Sequence, residues 1–372
     1  MVIFTIMFSF GSLSWNTKAG LIFKETRQWQ IAADAPDTYN ELFVSWAPAA
    51  AAAWTSYDLT ADGVPDKAVV EIAVASLDPN NEVTAGVRAV GSALNRYFVI
   101  HEPEGGGEDY ITLHVQTDAN AAIEYYASDT KDAKFYLVGY WACPGGNCYV
   151  EKMEALADVA LSTWTDSNLS GYGAGDKDIA EITIENSAAA ARYTGGVRTN
   201  GSALARYFEI AEAEGGGKNG YTMFATADGA NATVELWQSN AAIDFTLVGY
   251  WDDLYAPGSY SEKWATISNP TAALTWTGQT VSDIPAYGVG EIVMANRTEA
   301  AEYQMGVRKN GSSLGRILDI AEAEGGGTTD ADLVRIHSQA DSSSIIENYV
   351  EAVVATLDFK LVGAWVSPVN LN

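Results

Sequence analysis

A chain of 372 residues is long enough for two or three domains, and a hydrophobic share of 48% excludes wholesale disorder. Its 48 acidic residues against 21 basic ones leave a net charge of −27, which repels phosphate backbones and anionic lipid heads, so neither nucleic acid nor a membrane is expected as a partner. Three histidines and two cysteines are too few for a multi-site zinc protein or a disulfide-dense scaffold.

The chain opens on an apolar run from Val2 to Phe10, far short of the ~20 residues a spanning helix needs. It has the apolar core of a signal peptide but lacks the basic flank and the small-residue cleavage pattern, so it is read as part of the mature protein. In a strand, Val2, Phe4, Ile6, Phe8 and Phe10 share one face. Trp15, Phe23 and Trp29 keep the spacing of Trp237, Phe245 and Trp251, and APDTYNE (35–41) matches APGSYSE (256–262). Residues 1–38 therefore read as the closing strands of a unit whose opening strands are missing. Such a fragment cannot bury its own apolar face.

Three complete units follow, expected at 39–148, 149–259 and 260–372. Each opens with Tyr-x-Glu at Tyr39, Tyr149 or Tyr260 and carries a Trp about 15 residues later, at Trp54, Trp164 and Trp276. Gly-Val-Arg, Gly-Ser, Leu and Arg come next, then a Glu-x-Glu-Gly-Gly-Gly run, and the closing strands are FYLVGYW, FTLVGYW and FKLVGAW. Arg88, Arg198 and Arg308 stand 110 residues apart. A fixed period of this length marks tandem domains.

Within a unit the periodicity is two. In the second unit the runs AEITIEN, GGVRTN, ARYFEIAEAE, YTMFATA, ATVELWQ and DFTLVGYW alternate or are β-rich, and Gly-Gly-Gly, Asn-Gly and Asp-Gly separate them. With the segment after Trp164 this predicts about seven strands and no amphipathic helix. The fold class is all-β: three tandem antiparallel β-sandwiches, jelly-roll or immunoglobulin-like, preceded by an N-terminal strand segment. They are expected as beads on a string.

The recurring charges are Glu71, Glu181 and Glu291; Arg88, Arg198 and Arg308; Arg96, Arg206 and Arg316; and Glu102, Glu212 and Glu322 before the glycines. Paired carboxylates suit glycoside chemistry, yet Arg and Glu on neighbouring strands more simply form register-fixing ion pairs inside each unit. The Gly-Gly-Gly run lacks the Lys and Ser/Thr of a phosphate loop and reads as a tight turn. Carboxylates beside carbonyls suit Ca²⁺, but without an Asp-x-Asp loop no cofactor or metal is expected. His101, His114 and His337 read as occupying no shared repeat position, so no catalytic residues are assigned.

Cys143 and Cys148, in CPGGNC at the joint of units 1 and 2, are spaced for a disulfide, worth roughly 2 kcal/mol for so short a loop and implying an oxidising, extracellular setting. Sequons at Asn168, Asn200, Asn231, Asn296 and Asn310 are candidate glycosylation sites. The many Trp and Tyr residues read mainly as core, with a sugar platform as the rival use.

The pattern G-V-R-x-x-G-S-x-L-x-R…E-x-E-G-G-G…L-V-G-Y-W resembles tandem β-sandwich repeats of large secreted bacterial proteins and phage structural proteins. The N-terminal segment is similar in kind, though not in motif, to the donor strands of pilus-type filaments. The resemblance implies a non-enzymatic, extracellular or cell-surface structural subunit that polymerises with copies of itself head-to-tail through residues 1–20. A secreted carbohydrate-binding adhesin with glycan partners, or a virion fibre or decoration protein, is the alternative.

Overall fold

Short β-branched and aromatic runs become strands, and the Gly, Asn and Asp clusters between them set where each ends. The computed structural model describes residues 39–103, 106–143, 146–213, 217–253, 256, 258–299, 301–323 and 331–366. The N-terminal segment, including Val2, Phe4, Ile6, Phe8 and Phe10, lies outside the described residues.

Unit 1 contains β1 (Tyr39–Trp46), β2 (Thr55–Asp58), β3 (Val69–Ser76), β4 (Val83–Ala89), β5 (Tyr97–Ile100), β6 (Asp109–Gln116), β7 (Ala122–Ala127) and β8 (Ala133–Trp141). Unit 2 contains β9 (Tyr149–Ala155), β10 (Thr165–Asn168), β11 (Ile179–Asn186), β12 (Tyr193–Thr199), β13 (Tyr207–Ile210), β14 (Asn219–Thr226), β15 (Thr233–Gln238) and β16 (Ile243–Trp251). Unit 3 contains β17 (Ser259–Ile267), β18 (Thr277–Thr280), β19 (Val289–Asn296), β20 (Tyr303–Lys309), β21 (Ile317–Ile320), β22 (Asp332–Gln339), β23 (Ile345–Val350) and β24 (Leu357–Val366). The strand that the pattern missed is the opening one, β1, β9 or β17, because its side chains are mostly half-buried and show no clean alternation.

In unit 1 a sheet of order β1-β8-β3-β6 faces one of order β2-β7-β4-β5, and units 2 and 3 repeat both orders. Every strand pair is antiparallel, for example β3 with β8 and β4 with β7. Each sheet interleaves early and late strands, which is the double Greek key of a jelly roll and not the immunoglobulin order. Trp54, Trp164 and Trp276 take the same place, just ahead of β2, β10 and β18.

The three sandwiches are not separate beads; Ala35–Asn372 forms one compact unit. Short parallel bridges join Ile100 to Lys218, Ile210 to Ala331 and Ile320 to Glu108, so unit 1 meets unit 2, unit 2 meets unit 3, and unit 3 meets unit 1. The ring is closed. The last glycine of the Gly-Gly-Gly run works at this seam. A Cβ on Gly107 would lie 2.6 Å from the Ala321 Cα of unit 3, and one on Gly217 would lie 2.9 Å from the His101 Cα of unit 1, so these glycines permit backbone contact between neighbours.

The Leu-Val-Gly of each closing strand is a bulge: the register shifts between Leu247 and Gly249 and at the matching places in β8 and β24. An extra residue reverses the alternation. Leu247 stays in its own core, whereas Val248 enters the core of unit 1. Val362 likewise enters the core of unit 2, and Val138 that of unit 3. Each sandwich is completed by a side chain of the next.

Candidate functional site: the polar axis of the ring

β6, β14 and β22 touch one another where the three units meet. Alternate residues of each strand face their own core, and those between face this axis. One axial layer holds His114, Phe224 and His337, whose rings lie 5.2–5.7 Å apart. The next layer holds Thr112, Thr222 and Arg335. The neighbouring strands set Glu71 opposite His114, Glu181 opposite Phe224 and Glu291 opposite His337. Trp141, Trp251 and Trp365 pack edge to face or tilted beside them. His114 and His337 therefore do occupy one shared repeat position. The pattern concealed it because three extra residues separate Gly327 from His337 compared with Gly107 and His114.

All three axial carboxylates are fully buried. Glu71 accepts from the Tyr39 hydroxyl at 2.5 Å and from His337 Nδ1 at 2.8 Å. Glu181 accepts from the Tyr149 hydroxyl at 2.5 Å, His114 Nδ1 at 2.8 Å and Arg335 Nη2 at 2.7 Å. Glu291 accepts from the Tyr260 hydroxyl at 2.6 Å and the Phe224 amide at 3.1 Å, with Arg335 Nη1 at 3.6 Å. Each carboxylate thus takes a tyrosine hydroxyl from its own unit and a partner from the unit before it, and Glu181 also takes Arg335 of unit 3. Burial pushes the Glu181 carboxyl up, but His114 and Arg335 outweigh it and hold the group at about 2. Glu71 is also held well below the carboxylate range, against burial, by His337, His114 and Arg335.

A ring of buried arginines surrounds this centre. Arg96 Nη1 bonds Glu151 of unit 2 at 3.0 Å, and its Nη2 reaches the Val248 carbonyl at 2.9 Å. Arg206 bonds Glu262 of unit 3 at 2.8 Å, the Tyr260 hydroxyl at 3.0 Å and the Val362 carbonyl at 2.7 Å. Arg316 closes the circle on unit 1 through Glu41 at 3.3 Å, the Tyr39 hydroxyl at 3.2 Å and the Val138 carbonyl at 2.9 Å. The expectation that each of these arginines pairs within its own unit is therefore corrected. Their partners, Glu41, Glu151 and Glu262, are the glutamates of the opening Tyr-x-Glu. That recurrence was visible in the sequence, but nothing in it says which unit the glutamate serves.

The other arginine set stays local. Arg88 pairs with Glu124 at 2.7 Å, Arg198 with Glu235 at 2.6 Å and Arg308 with Glu347 at 2.6 Å. Each guanidinium also lies 4.0–4.2 Å over Trp54, Trp164 or Trp276, a cation–π contact that ties β4, β12 and β20 to their neighbours. Glu102, Glu212 and Glu322 are half-buried and are not the partners of either set. Their place as the ion-pair carboxylates is corrected to Glu124, Glu235, Glu347 and the Tyr-x-Glu glutamates.

Cys143 and Cys148 are joined in a disulfide with their Cα atoms 6.1 Å apart, buried beside Trp141. Of the sequons, Asn168 and Asn231 are exposed and Asn200 and Asn310 half-buried. Asn296 is fully buried and donates its amide to the carbonyls of Ala301 and Ala321 at 2.9 and 2.7 Å. It is removed as a glycosylation candidate, because a short motif carries no record of burial.

Glu185 is one of several buried carboxylates off the axis. Burial pushes Glu185 up to about 7, with Asp244 adding to the rise and Lys218 opposing it. The acid is more protonated in the folded chain than in the unfolded one between pH 4.5 and 7, so stability falls as pH rises through that window. Units 1 and 3 carry Ala75 and Ala295 at the same register position. Glu185→Ala is expected to leave stability near pH 4 unchanged and to raise it by about 3 kcal/mol at pH 8, from ~1.4 kcal/mol per unit of displacement. Urea unfolding at the two pH values checks this, and an equal change at both would contradict it.

No protein-family model matches this chain, and no curated protein matches it. Among solved structures it is similar to one from Sulfolobus turreted icosahedral virus, at 8% identity over 89% of this chain and 91% of that one, TM-score 0.21. A triple jelly-roll structure of an archaeal virus turret is 10% identical over 89% and 90%, TM-score 0.19. The tandem CBM22-1–CBM22-2 domain of Xyn10C from Paenibacillus barcinonensis is 12% identical over 57% and 92%, TM-score 0.14. At such identities and scores, the role of this chain rests on its own residues. Among the described residues no helix is long and apolar enough to cross a membrane.

Proposed function

We propose that this chain is a non-catalytic structural subunit of an extracellular assembly, a rigid jelly-roll ring that polymerises head-to-tail through its N-terminal apolar strand. The observation that carries the reading is the use made of the recurring residues. Tyr-x-Glu, the axial glutamates, Arg96 and its copies, and the closing Trp all join one unit to the next, and the axial glutamates, these arginines and the closing Trp are buried from solvent. A closed ring of this kind makes a stiff building block. The disulfide suits an oxidising, extracellular setting. A strand added in trans pairs its backbone with a sheet edge and places alternate side chains in apolar sites, and a contact that does not close on itself propagates as a fibre. Negative-stain imaging of the full chain beside a variant lacking residues 1–20, and beside Ile6→Asp/Phe8→Asp, tests the reading. Filaments are expected only from the parent chain; filaments from either variant would refute the mechanism.

A second reading, glycan binding, has one observation in its favour. A groove of about 480 Å³ at the seam of units 2 and 3 is lined by Tyr207, Phe208 and Trp264, with Glu209, Asp358 and Lys360 at its polar side. Aromatic faces flanked by charged hydrogen-bonding groups suit a sugar ring. A monomeric chain that binds glycans, and loses them on Tyr207→Ala, would favour this reading over the filament.

A further inference from the structure

We propose that the ring axis holds one divalent transition-metal ion of the zinc class, bound by Glu71 and His114 of unit 1 and His337 of unit 3. The three residues are fully buried, and each brings a ligand atom within 4.8 Å of the others. Two imidazoles with one carboxylate is a donor set for zinc, nickel, copper or iron, and not for the oxygen-seeking Ca²⁺ or Mg²⁺.

Three further observations support the site. The first is an open ligand atom. A carboxylate only accepts, so the Glu181–His114 bond places a proton on His114 Nδ1. His114 Nε2 then carries a lone pair, and it is buried without a partner. A histidine whose Nδ1 proton is held by a carboxylate is the usual metal-binding form. The second is spacing. Two imidazoles sharing an ion at about 2.0–2.1 Å have ring centres roughly 5–5.5 Å apart, and those of His114 and His337 are 5.5 Å apart. Glu71 and His337 already converge at 2.8 Å; the ion takes the place of the proton between them, and the imidazole carries that proton on Nε2 instead.

The third is charge. The axial carboxylates Glu71, Glu181 and Glu291 face Arg335, while Arg96, Arg206 and Arg316 are matched one for one by Glu151, Glu262 and Glu41. With neutral imidazoles two negative charges are left over in a buried core, and uncompensated buried charge is costly. One divalent ion removes both. Arg335 does not block it, because the guanidinium approaches His114 from the Nδ1 edge, at 3.4 Å, and leaves Nε2 on the other side. The rival way to neutralise the core is to protonate both histidines. That would place unpartnered N–H donors on both Nε2 atoms, where the indoles of Trp141, Trp251 and Trp365 and the Nε and Nη1 of Arg335 are unpartnered donors already, whereas the ion leaves such a proton on His337 alone.

Because the ligands are buried, the ion enters as the chain folds. The test is to unfold the full chain in guanidinium with a chelator, refold it with Zn²⁺ or Co²⁺, desalt it and measure bound metal. One ion per chain is expected, with a visible Co²⁺ absorption band and a higher thermal midpoint than after metal-free refolding. His114→Phe and His337→Phe should each lose the ion and the band while remaining folded by circular dichroism, since unit 2 already carries Phe224 at this position. Metal-free protein with the same thermal midpoint, or either variant retaining the ion, would overturn the proposal. So would a parent chain that binds no metal and gains stability on mild acidification, since protons would then be neutralising the core.

Discussion

Arg335→Thr is expected to cost about 3–5 kcal/mol of stability at pH 7, the usual consequence of removing one partner from a buried ionic cluster. Thr is the residue that units 1 and 2 place in this layer, as Thr112 and Thr222, so the change fits the backbone and removes only the cation. The need for that cation is specific to the axis. Glu181 bonds Arg335 at 2.7 Å and Glu291 lies 3.6 Å from it, so two of the axial carboxylates share this one guanidinium. The pH dependence tests the cause. Glu181 is held at about 2 in the folded chain, below its unfolded value, so its contribution is present above about pH 4.5 and is lost as pH falls toward 2. The gap between parent and variant should therefore be full at pH 7 and much narrower at pH 3. Equal losses at both values in urea unfolding would mean that packing, not charge, is the reason.

Arg206→Ala should likewise lower stability by about 3–5 kcal/mol, because it leaves Glu262 partly buried without its cation and takes the guanidinium donors away from the carbonyls of Phe224 and Val362. Arg206→Lys should recover little. A single ammonium cannot reach Val197, Phe224, Val362, Tyr260 and Glu262 at once, as the guanidinium does. The double variant Arg206→Ala/Glu262→Gln should be more stable than Arg206→Ala alone, since the stranded carboxylate is then neutral. The contact joins units 2 and 3, so the loss should appear in the unfolding of the whole ring, measured by calorimetry. A loss below about 1 kcal/mol, the range of an exposed ion pair, or an early separate transition of one unit, would contradict a closed ring of mutually supporting sandwiches.

Much of the architecture follows from local pattern. The 110-residue period between Arg88, Arg198 and Arg308, the alternation in AEITIEN and DFTLVGYW, and the Gly and Asn turns suffice for three all-β units of like topology, since strand formation depends on period-two burial and turn chemistry that neighbouring residues carry themselves. The ion pairs of Arg88, Arg198 and Arg308 belong to the same level, being cross-strand contacts within one sheet. The joining of the units does not. Arg96 pairs across 55 residues of chain, Arg316 with Glu41 across most of it, and His337 with Glu71 likewise. A repeat pattern states which residues recur, and a residue that contacts the equivalent position in its own unit has the same signature as one that contacts the next unit. His337 and Arg335 were hidden further by the longer loop before β22, which breaks the numerical period without breaking the register.

Sequence alone thus determined the fold class, the number of units and the residues that recur in them, because each depends on interactions between near neighbours. Only the tertiary structure decided that Tyr-x-Glu, the Leu-Val-Gly bulge and the final glycine of Gly-Gly-Gly serve the adjoining unit. Those roles depend on closure of a ring, and its contacts exist only when all three sandwiches are in place.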